Sequence, residues 1–131
     1  MTQPKNNKKA GSILVVEDDV DLSEVFNILL SKEGFDVTNA YDGREALELL
    51  SKERYDLILL DLIMPNVDGR SFLRLFDNKH KIPIIVFSNL DTSSAIQEVQ
   101  ELGAARYILK AWASPKELIR VINDTIDQNQ K

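Results

Sequence analysis

Two continuous apolar runs, Ile13-Leu14-Val15-Val16 and Leu57-Ile58-Leu59-Leu60, each stop on carboxylates: Glu17 and Asp18 after the first, Asp61 after the second. A strand with apolar side chains on both faces belongs to a parallel sheet covered by helices on each side. In open sheets of that kind, ligands bind just beyond the carboxyl ends of the strands. Three acids gathered there repel one another, so they persist only with a cation among them or with one of them protonated. A divalent metal is the expectation.

The rest of the chain repeats the pattern of short apolar run followed by helical stripe, the signature of successive βαβ units. Leu22, Val25, Phe26, Leu29 and Leu30 form one apolar stripe with a polar face opposite, and Gly34 stops that helix. Phe35 to Ala40 reads as a second strand, and Asp42 with Glu45 three residues on opens a helix running to about Ser51. Asp56 to Leu60 is the third strand, after which Phe72, Leu73, Leu75 and Phe76 supply a buried helical face. Ile82 to Phe87 is the fourth strand, with Pro83 near its start, and Thr92 or Ser93 caps a helix carrying Ile96, Val99 and Leu102. Arg106 to Leu109 is the fifth strand, and Ser114, Pro115 and Glu117 open the last helix. The reading is α/β: a doubly wound, five-stranded parallel sheet in the order 2-1-3-4-5, which sets the first and third strands side by side at the topological switch point.

A length of 131 residues with 44% hydrophobic content suits one domain, expected over residues 12–128 behind a disordered basic leader at 1–11. The absence of cysteine excludes a thiol nucleophile and Cys-ligated zinc and suits a reducing cytoplasm. His80, the one histidine, falls in a polar stretch and reads as an exposed loop residue. The leader holds Lys5, Lys8 and Lys9 and no acid, which leaves 13 cations against 21 acids, a net −8, from residue 12 onward. Such a domain lacks the basic footprint that nucleic acid requires, and no stretch is long and apolar enough for a membrane span or a signal peptide. The protein is expected in the cytoplasm.

Asp18 and Asp61, a third carboxylate and the carbonyls of the loop after Asp61 suit Mg²⁺ or Mn²⁺, hard ions that complete their shells with water and phosphate oxygens. Lys110, closing the fifth strand, can pair with a phosphoryl oxygen, and Ser88, closing the fourth, can donate one hydrogen bond to it. A carboxylate held in line beside the metal can itself be the nucleophile of phosphoryl transfer, and Asp61, central and after the most buried strand, is the choice.

Ile13 to Asp19, Asp56 to Pro65 with Asp68-Gly69, and Tyr107-Ile108-Leu109-Lys110 together resemble the receiver domain of two-component response regulators, whose sheet is flavodoxin-like. The likeness covers about residues 12 to 127. It implies that Glu17 and Asp18 are the metal acids, Glu17 acting through water, and that Ile63 lends a backbone carbonyl to the ion. It further implies that Asp61 accepts phosphate from a sensor histidine kinase or a phosphotransfer protein. Ser88 and Lys110 would be the switch pair, and Tyr107 the aromatic that turns inward with the hydroxyl. The changed face would lie on the fourth helix, fifth strand and fifth helix, for a downstream protein that the sequence does not name. A monomer or a phosphorylation-dependent dimer is compatible with this.

Some positions depart from the family pattern. Ala111 follows Lys110 where a proline, often cis, is usual; a cis bond to a non-proline residue costs about 3 kcal/mol, so a trans bond and an altered approach of Lys110 are expected. The Ala111-Trp112-Ala113 loop is one residue longer than usual, with Trp112 read as packing rather than partner anchor. Asn89, in place of a small residue, would narrow access for small phosphodonors or hydrogen-bond the phosphoryl group. Ile63 and Leu90, at the two positions flanking the phosphate, are apolar and cannot orient a hydrolytic water, which predicts a long-lived phosphoryl group.

Competing functions are separable. A phosphohydrolase of the haloacid-dehalogenase type would need a general acid two residues after its nucleophile, where Ile63 stands. A flavin carrier would need a Ser/Thr/Gly-rich phosphate loop after the first strand, where the acids of residues 17–21 stand instead. A degenerate receiver that signals by binding alone remains the alternative. The chain ends soon after the last helix with no output domain, so it reads as a stand-alone regulator or as a piece of a larger regulator or hybrid kinase.

Overall fold

The computed structural model describes residues 11–64, 67–89, 92–111 and 113–129. Five strands, β1 (Gly11–Val16), β2 (Phe35–Ala40), β3 (Leu57–Leu60), β4 (Ile84–Ser88) and β5 (Arg106–Leu109), alternate with five helices, α1 (Val20–Lys32), α2 (Gly43–Lys52), α3 (Gly69–Leu75), α4 (Ser93–Glu101) and α5 (Pro115–Asn129). All strand pairs are parallel, as the alternating pattern predicts, and the order is β2-β1-β3-β4-β5, the flavodoxin-like order expected.

Side-chain alternation along each strand builds two cores from the same apolar runs. Leu14, Val16, Ile58, Leu60, Ile84 and Val86 face Ala46, Phe72, Leu73 and Val99 of α2, α3 and α4. Ile13, Val15, Leu57, Leu59, Ile85 and Phe87 face Phe26 and Leu30 of α1 and Leu118, Ile122 and Ile126 of α5. Helix starts follow the capping residues read from sequence. Asp42 accepts from Glu45 N at 2.8 Å, Thr92 from Ala95 N at 3.2 Å and Ser114 from Glu117 N at 3.1 Å.

Several expectations are corrected. Leu75, expected on the buried face of α3, is 62% exposed. At about 100° per residue it lies about 110° from the centre of the Phe72, Leu73 and Phe76 stripe. Val25, expected on the inner stripe of α1, is exposed for the same reason, and with Val20 and Ile28 it makes the outer face of that helix partly apolar rather than polar. The inner position falls instead to Ser23, which is buried and hydrogen-bonded by Asn39 of β2. β4 begins two residues later than predicted, because the backbone N–H and C=O of Ile82 pair with the side chain of Asn78, both at 2.8 Å, instead of with a neighbouring strand. β1 takes in Gly11, placed in the leader by sequence, and Asp56 stands just outside β3, where its carboxylate accepts from Ser12 N at 2.8 Å. His80 is exposed as expected.

Candidate functional site

The sheet aligns the carboxyl ends of its strands. Val16 is in register with Leu60, and Leu60 with Val86. The ladder runs one residue further into the acids themselves: Glu17 N donates to Ala40 O, Asp61 N to Val16 O and Lys110 N to Ser88 O, each at 3.0 Å. These backbone bonds anchor the site residues to the most rigid part of the fold.

Glu17, Asp18 and Asp61 offer carboxylate oxygens that all lie within 4.8 Å of one another. Glu17 is 2% and Asp61 6% exposed, while Asp18 is open to solvent. Lys110 Nζ stands 3.0 Å from Glu17 Oε1 and 3.2 Å from Asp61 Oδ2, joining β1, β3 and β5 through one ammonium. The peptide after Lys110 is trans, and the departure at Ala111 leaves the ammonium in the pocket. The second oxygen of each buried acid accepts a backbone N–H: Glu17 Oε2 from Asp19 at 3.1 Å and Asp61 Oδ1 from Ile63 at 3.3 Å.

Burial is the main force on Glu17 and drives its carboxyl up to about 7; the Asp19 N–H and Lys110 resist this, and the Asp61 charge adds to it. Burial alone would lower the Lys110 ammonium, but its bond to Glu17 and the charge of Asp61 hold it above the ordinary lysine value. The pocket thus carries more potential negative charge than a single lysine neutralises. A cluster of hard oxygens with one open acid fits a hydrated divalent cation such as Mg²⁺ or Mn²⁺. When bound, such an ion supplies positive charge for phosphoryl oxygens.

Glu17 makes that fit pH-dependent. The apparent Mg²⁺ affinity should rise by up to about tenfold per pH unit below 7 and level off above it, because the ion displaces a proton. Calorimetric titrations between about pH 5.5 and 8.5 check this, and Glu17→Gln should flatten the profile. Stability of the metal-free protein has the opposite sign: a raised carboxyl favours the folded state below its ordinary value, and that contribution is lost as pH climbs through about 7.

Of the other residues named from sequence, Ser88 is fully buried at the end of β4 and Tyr107 is half-buried, packed against the core beneath α4. Ile63 is 59% exposed at the mouth, and Asn89 is exposed. Leu90 and Trp112 lie outside the described residues, as does the leader up to residue 10.

Sequence reasoning missed three features. It did not anticipate the direct pairing of Glu17 with Lys110. It named Gly69 as part of the motif and read no packing role for it or for Gly43, yet their missing Cβ atoms let α3 and α2 approach closely: a Cβ on Gly69 would stand 2.6 Å from Leu62 Cα and 2.7 Å from Asp61 O, and one on Gly43 would stand 2.4 Å from Val67 O. A glycine inside the first turn of each helix, where nothing in the local sequence needs one, was the available signal.

A family model described as response regulator receiver domain matches residues 13–123. Among solved structures, the receiver domain of the Francisella response regulator 1452 is 32% identical, with 91% of this chain and 98% of that one covered and a TM-score of 0.84. The BeF3-activated N-terminal receiver domain of Klebsiella pneumoniae RstA is 31% identical, covering 88% and 97%, with a TM-score of 0.80. The chemotaxis protein CheY4 of Vibrio cholerae is 27% identical, covering 87% and 97%, with a TM-score of 0.79.

Proposed function

Because the chain belongs to the response regulator receiver domain family, we propose that it is a cytoplasmic phosphoacceptor of a two-component or phosphorelay pathway, built on residues 12–128 and phosphorylated on Asp61. The observation that carries this reading is the convergence of Glu17, Asp18 and Asp61 within 4.8 Å, with Lys110 reaching two of them.

Glu17, Asp18, Asp61 and the Ile63 carbonyl would hold Mg²⁺, which would supply positive charge to the phosphoryl oxygens. An Asp61 oxygen forms the new bond to phosphorus as the P–N bond of a donor phosphohistidine breaks. The imidazole leaves with the electron pair and takes up a proton. Lys110 exchanges its carboxylate partners for a phosphoryl oxygen, and the Ser88 hydroxyl hydrogen-bonds another. A protein donor, whether sensor kinase or phosphotransfer protein, is supported by the exposed apolar rim around the mouth: Val20, Tyr41 and Ile63. Beside Lys110, a groove of about 240 Å³ between α1 and the start of α5 adds Leu22, Val25 and Pro115 to that surface.

Output runs through Ser88 and Tyr107. Tyr107 lies on β5 in a groove of about 490 Å³ shared with Ile96 of α4 and with Glu117 and Arg120 of α5. A hydroxyl drawn toward the phosphate and a ring that follows it would reshape this face for a downstream protein. The reading is tested by intact mass after incubation with phosphoramidate or acetyl phosphate. One added phosphoryl group that forms with Mg²⁺ and does not form when EDTA is present from the start supports it; no adduct from small donors or from a histidine kinase would leave a module that signals by binding alone.

The lifetime of the phosphoryl group is a separate expectation. By the family resemblance Ile63 and Leu90 occupy the positions that flank the phosphate, so Ile63→Asn with Leu90→Glu should speed its loss. Decay of the phosphorylated protein followed by mass checks this, and an unchanged rate would remove both residues from control of hydrolysis.

A further inference from the structure

We propose that the groove at the amino edge of the sheet, between the C-terminal ends of α2 and α3, docks an acidic segment of a partner protein that carries a bulky apolar side chain. The groove encloses about 540 Å³ and lies at the end of the fold away from the carboxylate pocket. Its apolar lining is buried Ile82 with Leu47, Leu50 and Phe76, half-buried residues packed on the core. The Phe76 ring stacks on buried Phe72 with centroids 5.4 Å apart, so this wall is held in place.

The rim is cationic. Lys52, Arg54 and Lys79 line it, with His80 beside them, all exposed, and the described residues give none of the three cations an ion pair. Elsewhere Arg70 and Arg74 share Glu98, and Arg120 is held by Glu117 and Asp124. Lys52 sits in the last turn of α2 and offsets the negative end of that helix, as Arg74 does in α3, but Arg54, Lys79 and His80 lie beyond both helices. Glu53 and Asp77 are the acids of the lining, two against the three cations.

Of the three cations, Lys79 is presented on a braced loop. Asn78 clamps Ile82 through both its side-chain atoms at 2.8 Å, and Lys81 N donates to Asn78 O at 3.1 Å. Lys81 takes φ 55°, a left-handed conformation uncommon for a non-glycine residue. Holding the loop before a partner arrives reduces the ordering cost of binding.

Charge selects the occupant. The domain carries a net −8 from residue 12 onward, so an acidic segment is repelled by most of its surface and attracted here, while its apolar side chain covers the Leu47, Leu50 and Phe76 wall. Docking at the amino edge leaves the Asp61 mouth open, so a partner held there would stay bound whether or not Asp61 is phosphorylated.

The test uses the ¹⁵N-labelled full chain and a synthetic acidic heptapeptide with a central Phe-Leu pair. Saturable amide shifts confined to residues 47–54 and 76–82, with those of Asp18 and Asp61 unmoved, are expected. Lys52→Glu with Lys79→Glu should weaken the affinity by at least about tenfold, and the milder Arg54→Gln with Lys79→Gln should fall between. Both variants should keep wild-type Mg²⁺ binding, which reports an intact fold. The proposal is overturned if the groove amides do not move, if charge reversal leaves the affinity unchanged, or if a heptapeptide with Asn and Gln in place of its acids binds equally well.

Discussion

Asp61→Asn should abolish phosphoryl uptake altogether while leaving the protein folded. The substitution is nearly isosteric, and the amide oxygen can keep the hydrogen bond that Asp61 Oδ1 accepts from Ile63 N. What is lost is the nucleophile, since an amide does not attack phosphorus as a carboxylate does. The Asn amino group would also face the Lys110 ammonium, donor against donor, where 3.2 Å now separates opposite charges. Lys110 still has Glu17 to hold it, at 3.0 Å. With one acid fewer in the cluster, Mg²⁺ affinity should fall by at least about tenfold, because ligand charge sets the affinity of such sites. Intact mass after phosphoramidate treatment and calorimetric Mg²⁺ titration read the two effects separately. A wild-type adduct on the variant would move the acceptor to another acid of the pocket and sink the assignment of Asp61.

Gly69→Ala should be among the most damaging single-methyl additions in the chain. The added Cβ would meet Leu62 Cα at 2.6 Å, Asp61 O at 2.7 Å and Leu62 Cδ2 at 2.8 Å, and two of those atoms are backbone that cannot rotate away. Gly69 N also donates to Leu62 O at 3.0 Å, so the first turn of α3 is tied to the residue after Asp61. Overpacking of this severity costs about 3 kcal/mol, or a Tm lower by about 10 °C in a domain of this size. The displaced strand end should weaken Mg²⁺ binding as well. Gly103→Ala is the contrast: φ is 113° there and nothing stands within 4 Å, so only conformational strain of about 1 kcal/mol is expected, with Mg²⁺ binding untouched. Thermal melts and Mg²⁺ titrations of the pair would show it, and equal effects at the two glycines would refute the close-approach argument.

Much of this molecule is legible in local patterns. Runs with apolar residues on both faces can form only the middle layer of a three-layer sandwich, and the intervening helical stripes supply the outer layers. Capping residues name the starts of α2, α4 and α5 because their side chains satisfy backbone donors within three residues. Edges are less legible where the deciding partner is not a ladder neighbour: Asn78 takes the polar groups of Ile82 and so delays β4, and no strand propensity at residues 82 and 83 reveals that. Leu75 and Val25 show a related gap, since apolarity alone does not give the azimuth of a residue on a short helix.

The sequence by itself determined the α/β class and the placement of Glu17, Asp18, Asp61, Ser88 and Lys110 at one sheet edge, because each follows from periodicities of two and about 3.6 residues and from the handedness of crossovers, while the strand order was taken from the flavodoxin-like type that the chain resembles. Tertiary structure alone decided how those groups share charge. Burial pushes the Glu17 carboxyl up to about 7, and one ammonium spans Glu17 and Asp61 from a strand two places from β3 in the sheet. It also decided which cations stay unpaired at the opposite edge, in the groove between α2 and α3. Desolvation and ion pairing depend on distances of a few ångströms between residues far apart in the chain, and periodicity carries no information at that scale.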